Sequence, residues 1–211
     1  MANLARSLNS SSVAETLATY ESWAESYNED ISKEEYTAPE IASDYVVKHV
    51  GSRNITSATI LDAGCGTGLV GHHLAKRGAT HLDGIDLSPA MLQVAHRTGV
   101  YRSLNVANLS QTLEIPDLSY DVVVCVGTLT QGHVGPGVFD EFVRVVKPGG
   151  FIVATVRESV WQKNGYEDKV KALDKDGEVK LLGDKLEVIG TDVRAVFVIL
   201  QVQGEDCSND M

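Results

Sequence analysis

Apolar and polar positions along the chain alternate in blocks that predict strands and helices in turn. Short apolar runs, typical of strands buried in a parallel sheet, cover residues 59–62, 81–86, 101–106, 120–126 and 151–156. Between most of these runs, apolar residues recur at spacings of three and four, which is the helical period. The alternation predicts an α/β protein whose parallel sheet carries helices on its faces.

Two longer strand-like segments, residues 178–188 and 195–203, follow the fifth run. The connection between them is too short for a crossover helix, so they predict an antiparallel hairpin at the edge of the sheet. The expected fold is therefore doubly wound and Rossmann-like, with a mostly parallel sheet of seven strands that ends in this hairpin.

Two helices are predicted ahead of the sheet, over residues 13–27 and 39–50. The first carries Tyr20, Trp23 and Tyr27 on its apolar stripe. Two interpretations fit this stripe, because periodicity reports burial and not its purpose. The aromatic side chains pack the helix on the sheet, or they close over a cofactor site.

The length of 211 residues fits one domain. We expect that domain over residues 13–203, with residues 13–50 as helices that cover the site. Flexible segments are expected at residues 1–12 and 204–211.

Charge and cysteine content narrow the class of protein. The net charge of −11 argues against a nucleic-acid partner. No apolar run is long enough to span a membrane, and the first residues do not resemble a signal peptide. Cys65, Cys125 and Cys207 are odd in number and widely spaced, which favours a reducing compartment and a cytoplasmic protein. The histidines form no ligand pattern, so no metal is expected.

The most informative stretch is residues 59–68, an apolar run that ends in an acid and then three alternating glycines. Two registers are open. Residues 66–71 match the dinucleotide pattern G-x-G-x-x-G, with Asp86 twenty positions after Gly66 as a ribose-binding acid. Alternatively, residues 62–68 form the functional unit, and Asp62 belongs to the site.

Four motifs together resemble the class I S-adenosylmethionine-dependent methyltransferases of the small-molecule type. They are the segments 61–68, 84–92, 120–123 and 144–150, preceded by an aromatic segment at residues 20–27. Their order and spacing over roughly residues 20–156 match the family. Within it, residues 126–129 and 147–150 are most similar to those of the methyltransferase-like proteins.

The resemblance implies roles for residues at the first two strand ends. Asp62 would lie near the amino group of the donor's methionine part. Gly64, Gly66 and Gly68 would let the backbone approach the donor, with Cys65 as a small residue between them. Asp86 would accept hydrogen bonds from the two ribose hydroxyls.

The remaining implied donor contacts are apolar or lie on the third and fourth strands. Leu87 and Met91 would pack on the adenine ring. Asn108 and Leu109 would contact its edge, although an ordinary turn asparagine fits Asn108 equally well. The sulfonium region would be bordered by Val126, Gly127 and Thr128, and the aromatic residues Tyr20, Trp23 and Tyr27 would close the site.

The reaction implied by the resemblance is methyl transfer from S-adenosylmethionine to a small-molecule acceptor by direct in-line displacement, leaving S-adenosylhomocysteine. Candidate catalytic residues are His133, Tyr36 and Arg157, by their positions alone. No membrane or obligate protein partner is expected. Two alternatives stay open, namely a donor-binding module without turnover and an NAD-dependent oxidoreductase.

Overall fold

The computed structural model describes residues 13–52, 54–131, 134–191 and 193–204. Two helices precede the sheet. Strands and helices then alternate, except that no helix separates the third strand from the fourth and two short helices follow the fifth, and the chain ends in a pair of strands. The helices are α1 Val13–Ser32, α2 Ala38–Val50, α3 Leu69–Lys76, α4 Pro89–Arg97, α5 Val138–Val145, α6 Glu158–Trp161 and α7 Tyr166–Lys175. The strands are β1 Thr59–Ala63, β2 His81–Asp86, β3 Ser103–Val106, β4 Tyr120–Leu129, β5 Val146–Arg157, β6 Val179–Gly190 and β7 Val193–Val202.

The seven strands form one sheet in the order β3-β2-β1-β4-β5-β7-β6. Strands β1 to β5 pair in parallel, and β7 lies antiparallel between β5 and β6. The predicted Rossmann-like sheet of seven strands with an antiparallel edge hairpin is confirmed. Because the order reverses between β1 and β4, the carboxyl ends of these two strands border the crevice in which such sheets bind ligands.

Alternate residues of the central strands supply two cores, one on each face of the sheet. On one face Leu61 and Val123 pack with Phe139 and Phe142 of α5. On the other face the neighbouring strand residues pack against α2 and α3. The strands β1 and β4 are therefore buried on both sides, as their continuous apolar runs predict.

The structure corrects several boundaries of the predicted elements. Strand β4 continues beyond residue 126, because a bulge at Gly127 keeps Leu129 paired with Val156. The fifth strand, predicted over residues 151–156, already begins at Val146, which pairs with Tyr120. Helix α1 extends five residues past the predicted end at residue 27, to Ser32.

Within the described ranges, no helix combines the length and the apolar character needed to cross a membrane.

Candidate functional site

The glycine turn after β1 leaves backbone without side chains at the carboxyl end of this central strand. Gly64, Gly66 and Gly68 all have positive φ, at 75°, 53° and 90°. A Cβ on Gly64 would overlap the Thr128 hydroxyl at the end of β4, so a side chain is excluded there. The Gly64 and Cys65 amides donate to the Ile85 carbonyl at 2.8 and 3.0 Å, which fixes the turn against β2.

Asp86 ends β2 beside this turn and accepts two backbone hydrogen bonds. Its Oδ2 accepts from the Gly66 amide at 2.8 Å, and its Oδ1 accepts from the Ser88 amide at 2.9 Å. Burial raises the pKa of this carboxyl, and the amide donors oppose that rise. The carboxylate therefore links the glycine turn to the start of α4.

Asp62, on β1, is a fully buried carboxyl with one oxygen left without a partner. Its Oδ2 accepts from the Tyr101 hydroxyl at 2.6 Å, whereas Oδ1 has no hydrogen-bond partner among the described residues. Burial raises the pKa of Asp62 to about 7, although the Tyr101 hydrogen bond lowers it. Buried polar atoms almost always have partners, so this orphaned oxygen needs an explanation.

A cavity of about 740 Å³ opens beside the glycine turn, at the ends of β1, β2 and β4. We call it the donor cavity, after the role that the resemblance implies for the residues of its wall. The structure brings most of the predicted donor-binding residues to its wall. They are Tyr20, Tyr27, Gly64, Gly66, Asp86, Leu87, Met91, Leu109, Val126, Gly127 and Thr128.

The other predicted donor residues lie behind or beside this wall. Asp62 is fully buried, Cys65 is buried with its thiol pKa raised by burial, and Gly68 lies against the Tyr101 ring. Asn108 Oδ1 accepts from the Ser110 amide at 2.9 Å, which is the geometry of the turn alternative. Trp23 is 1% exposed and borders a second cavity.

Helix α1 lies across the donor cavity and is tied to its rim by polar contacts. Glu21 Oε1 accepts from the Ser88 hydroxyl at 2.7 Å and from the Ala90 amide at 3.0 Å, at the start of α4. The Thr67 hydroxyl donates to Asn28 Oδ1 at 2.6 Å, beside the glycine turn. These contacts fix the helix over the site.

The aromatic residues of α1 form one cluster beneath these ties. The Trp23 ring lies 6.2 Å from the Tyr20 ring in a stacked arrangement and 4.7 Å from the Tyr27 ring edge-on. The Trp23 indole donates to Asp30 Oδ2 at 2.8 Å. Trp23 is buried, as the packing interpretation predicts, whereas Tyr20 and Tyr27 line the donor cavity.

A second cavity of about 820 Å³ shares Tyr20, Tyr27, Gly127 and Thr130 with the first. We call it the acceptor cavity, after the role that we propose for it below. Two of the three candidate catalytic residues, Tyr36 and Arg157, line it. The third, His133, lies outside the described residues.

Four residues at the donor cavity were missed by the sequence analysis. Thr16, Thr130 and Val134 line the cavity, and Tyr101 holds Asp62. Thr16 continues the α1 stripe one turn before Tyr20, which is a signal that could have been used. The contact of Tyr101 with Asp62 joins residues 39 positions apart, and no spacing rule indicates it.

No cluster of His, Cys, Asp and Glu side chains suited to a metal ion occurs in the part of the chain that the structure describes.

Comparison with known proteins agrees with this geometry. Residues 60–150 match the family described as "Methyltransferase domain". The chain is 38% identical to Methyltransferase-like protein 27 of Homo sapiens over 146 residues, which are 69% of this chain and 59% of that protein. It is 32% identical to a Ubiquinone biosynthesis O-methyltransferase of Xylella fastidiosa over 124 residues, covering 56% and 48%.

Solved structures show the same fold. The S-adenosylmethionine-dependent methyltransferase from Mesorhizobium loti has a TM-score of 0.57 at 18% identity, over 76% of this chain and 95% of that one. Magnesium protoporphyrin IX methyltransferase from Synechocystis, crystallised with bound S-adenosylmethionine, has a TM-score of 0.61 at 18% identity, over 79% of each chain. A methyltransferase bound to the Haloferax volcanii activator Trm112 has a TM-score of 0.66 at 15% identity, over 88% and 96%.

The resemblance noted in the sequence is confirmed. Residues 60–150 match a methyltransferase domain, and the chain has the fold of a solved S-adenosylmethionine-dependent methyltransferase. Its relatives include Methyltransferase-like protein 27 and the ubiquinone O-methyltransferases, and it spans 59% and 48% of the length of the two quoted above.

Proposed function

We propose that the protein transfers a methyl group from S-adenosylmethionine to a small-molecule acceptor. The observation that carries this proposal is the pair of cavities that meet at Gly127, Tyr20, Tyr27 and Thr130. The donor cavity is lined by the glycine turn and by Asp86, the acid that the family resemblance assigns to the ribose hydroxyls. The acceptor cavity is mostly apolar. Two substrates placed in them would meet at the end of β4.

The residues present fit the donor. The bare backbone at Gly64 provides close approach, and the unpartnered oxygen of Asp62 provides a negative site for an ammonium group. Asp86 has carboxylate lone pairs beyond the two amide bonds, which suits vicinal hydroxyls. Leu87 and Met91 offer apolar contacts to a flat base.

The bound donor supplies an electrophilic methyl group, so the protein provides orientation and exclusion of water. Holding two reactants in near-attack geometry is worth roughly 7–11 kcal/mol. Helix α1 covers both cavities and keeps their shared wall away from bulk water.

Tyr36 is a polar residue of the acceptor cavity that lies close to the shared wall. Its hydroxyl lies 2.7 Å from the position of a Cβ on Gly127, and no described residue hydrogen-bonds to it. Burial raises the pKa of Tyr36 well above its usual value, so the phenol stays protonated. It therefore serves as a hydrogen-bond donor to an acceptor oxygen and not as a base.

The experiment is a transfer assay with S-adenosylmethionine labelled in its methyl group and extracts of small metabolites. We expect label in small products, and inhibition by S-adenosylhomocysteine. Saturable binding of S-adenosylhomocysteine without any labelled product would instead favour a donor-binding module. Binding of NAD with no response to S-adenosylhomocysteine would contradict the proposal and favour an oxidoreductase.

A further inference from the structure

Arg157 differs from the other arginines in the described ranges because it forms no salt bridge with a described carboxylate. The others each form a salt bridge, namely Arg77 with Asp44, Arg97 with Glu25, Arg102 with Asp83, Arg144 with Glu141 and Arg194 with Glu158. Arg157 is half-buried at the end of β5. A guanidinium has five N–H donors in a planar fork, and those of Arg157 form no salt bridge with the described part of the chain.

The position of Arg157 on β5 turns it toward the acceptor cavity. Side chains two residues apart share a face of a strand, so Arg157 and Thr155 lie on the same side. Both line the cavity, and the Thr155 hydroxyl accepts from the Gly127 amide at 2.9 Å. Two residues of strand span about 7 Å, so the Arg157 backbone lies about that far along β5 from the shared wall.

The acceptor cavity is mostly apolar between Arg157 and the wall that it shares with the donor cavity. The residues from α1 are aromatic or aliphatic, and those from the sheet include Leu129, Ile189 and Ala195. A lining of this kind suits an apolar body with a few placed polar groups. The distance along β5 is comparable to one substituted aromatic ring.

Glu34 is the second charged residue of the acceptor cavity, and it limits the charge that the cavity tolerates. It is half-buried and has no described ion-pair partner, and its carbonyl accepts from the Thr191 amide at 3.2 Å, beside the β6–β7 turn. A carboxylate here opposes a second negative charge on a ligand. One cation and one anion in the wall therefore favour a single anionic group at Arg157 over a dianion.

We propose that the methyl acceptor is a compact, largely apolar molecule with one carboxylate, and that Arg157 binds this carboxylate. The proposal rests on the proposed function and names the substrate class of the same site. The planar guanidinium matches a carboxylate in two parallel hydrogen bonds. This contact places the opposite end of the acceptor at the wall shared with the donor cavity.

The test uses the full chain saturated with S-adenosylhomocysteine and two probes of one shape, 3-phenylpropionate and 3-phenylpropanamide. Calorimetry measures the affinity of each. We expect the acid to bind about tenfold more tightly than the neutral amide, which corresponds to about 1.4 kcal/mol. Arg157→Gln removes this preference, and Arg157→Lys retains part of it.

Arg194→Gln is the matched control, because Arg194 has the same charge on the adjacent strand but pairs with Glu158 and lines neither cavity. This variant keeps the preference for the acid. Glu34→Gln leaves the affinity for the acid equal or increases it, since a like charge is removed.

Equal binding of acid and amide, no binding of either probe at millimolar concentration, or an unchanged preference in Arg157→Gln would overturn the proposal. If Glu34→Gln lost the preference for the acid as fully as Arg157→Gln, the proposal would also be overturned, because the effect would then not depend on the sign of the charge removed. A titration with S-adenosylhomocysteine alone separates this failure from that of the proposed function. If S-adenosylhomocysteine binds but the protein shows no preference for the acid, the proposed acceptor class is wrong and the donor assignment stands.

Discussion

Replacement of Asp62 by asparagine tests whether a buried carboxyl at the glycine turn destabilises the folded protein. The side chain is 0% exposed, and one oxygen has no described partner. Burial raises its pKa from the ordinary 3.8 to about 7. The folded protein then holds a proton that the unfolded chain has lost, over the interval between these two values.

The sign of the effect follows from proton linkage. A carboxyl whose pKa is raised by folding contributes stability that is fully present below pH 3.8 and is lost as the pH rises to about 7. A shift of one unit corresponds to about 1.4 kcal/mol. Over the range from about pH 5 to about pH 8, the wild-type protein should lose about 3 kcal/mol of unfolding free energy through Asp62.

The assay is urea unfolding of the wild type and Asp62→Asn at several pH values across this range. Asparagine does not titrate and still accepts a hydrogen bond from Tyr101, so the variant lacks this loss. We expect its stability relative to the wild type to rise with pH and to level off above about pH 7. A difference that does not change with pH would refute the account of Asp62 as a strained carboxyl.

Three further predictions concern packing, closure and chemistry. Gly71→Ala places a methyl group on the Tyr101 ring and should cost about 1–3 kcal/mol in thermal unfolding, whereas Gly137→Ala, with open space around it, should cost far less. Trp23→Ala removes the centre of the α1 aromatic cluster and should raise the dissociation rate of S-adenosylhomocysteine about tenfold in stopped-flow experiments; a fall in stability alone would leave Trp23 a packing residue. Tyr36→Phe should leave thermal stability within about 0.5 kcal/mol but slow labelled methyl transfer, and an unchanged rate would exclude the hydroxyl from the reaction.

The fold was predictable because its strands are continuous apolar runs and its turns are marked by glycine and proline. The turn at Gly64 to Gly68 and the acid at Asp86 are local features, and the residue types in a short stretch of sequence are enough to predict each of them. The end of β4 was not predictable in this way. Gly127 has the composition of a loop, yet a bulge keeps the strand paired as far as Leu129.

The parts of the site that depend on distant contacts could not be derived from spacing. The apolar run 101–106 predicts Tyr101 within a strand, but β3 begins at Ser103 and the Tyr101 hydroxyl donates to Asp62 instead. Similarly, the ties from Glu21 to Ser88 join segments 67 residues apart. The charge balance of the acceptor cavity depends on Arg157 at the end of β5 and Glu34 after α1, which are distant in sequence.

The most direct test of the central claim is calorimetric titration of S-adenosylhomocysteine into the wild type, Asp86→Asn and Asp83→Asn. Asp83 lies on the same strand but pairs with Arg102 outside the donor cavity, so it is the matched control. We predict saturable binding with one site in the wild type and in Asp83→Asn, and at least a tenfold loss in Asp86→Asn. No binding to the wild type, or equal affinity in all three proteins, would contradict the assignment of the donor cavity.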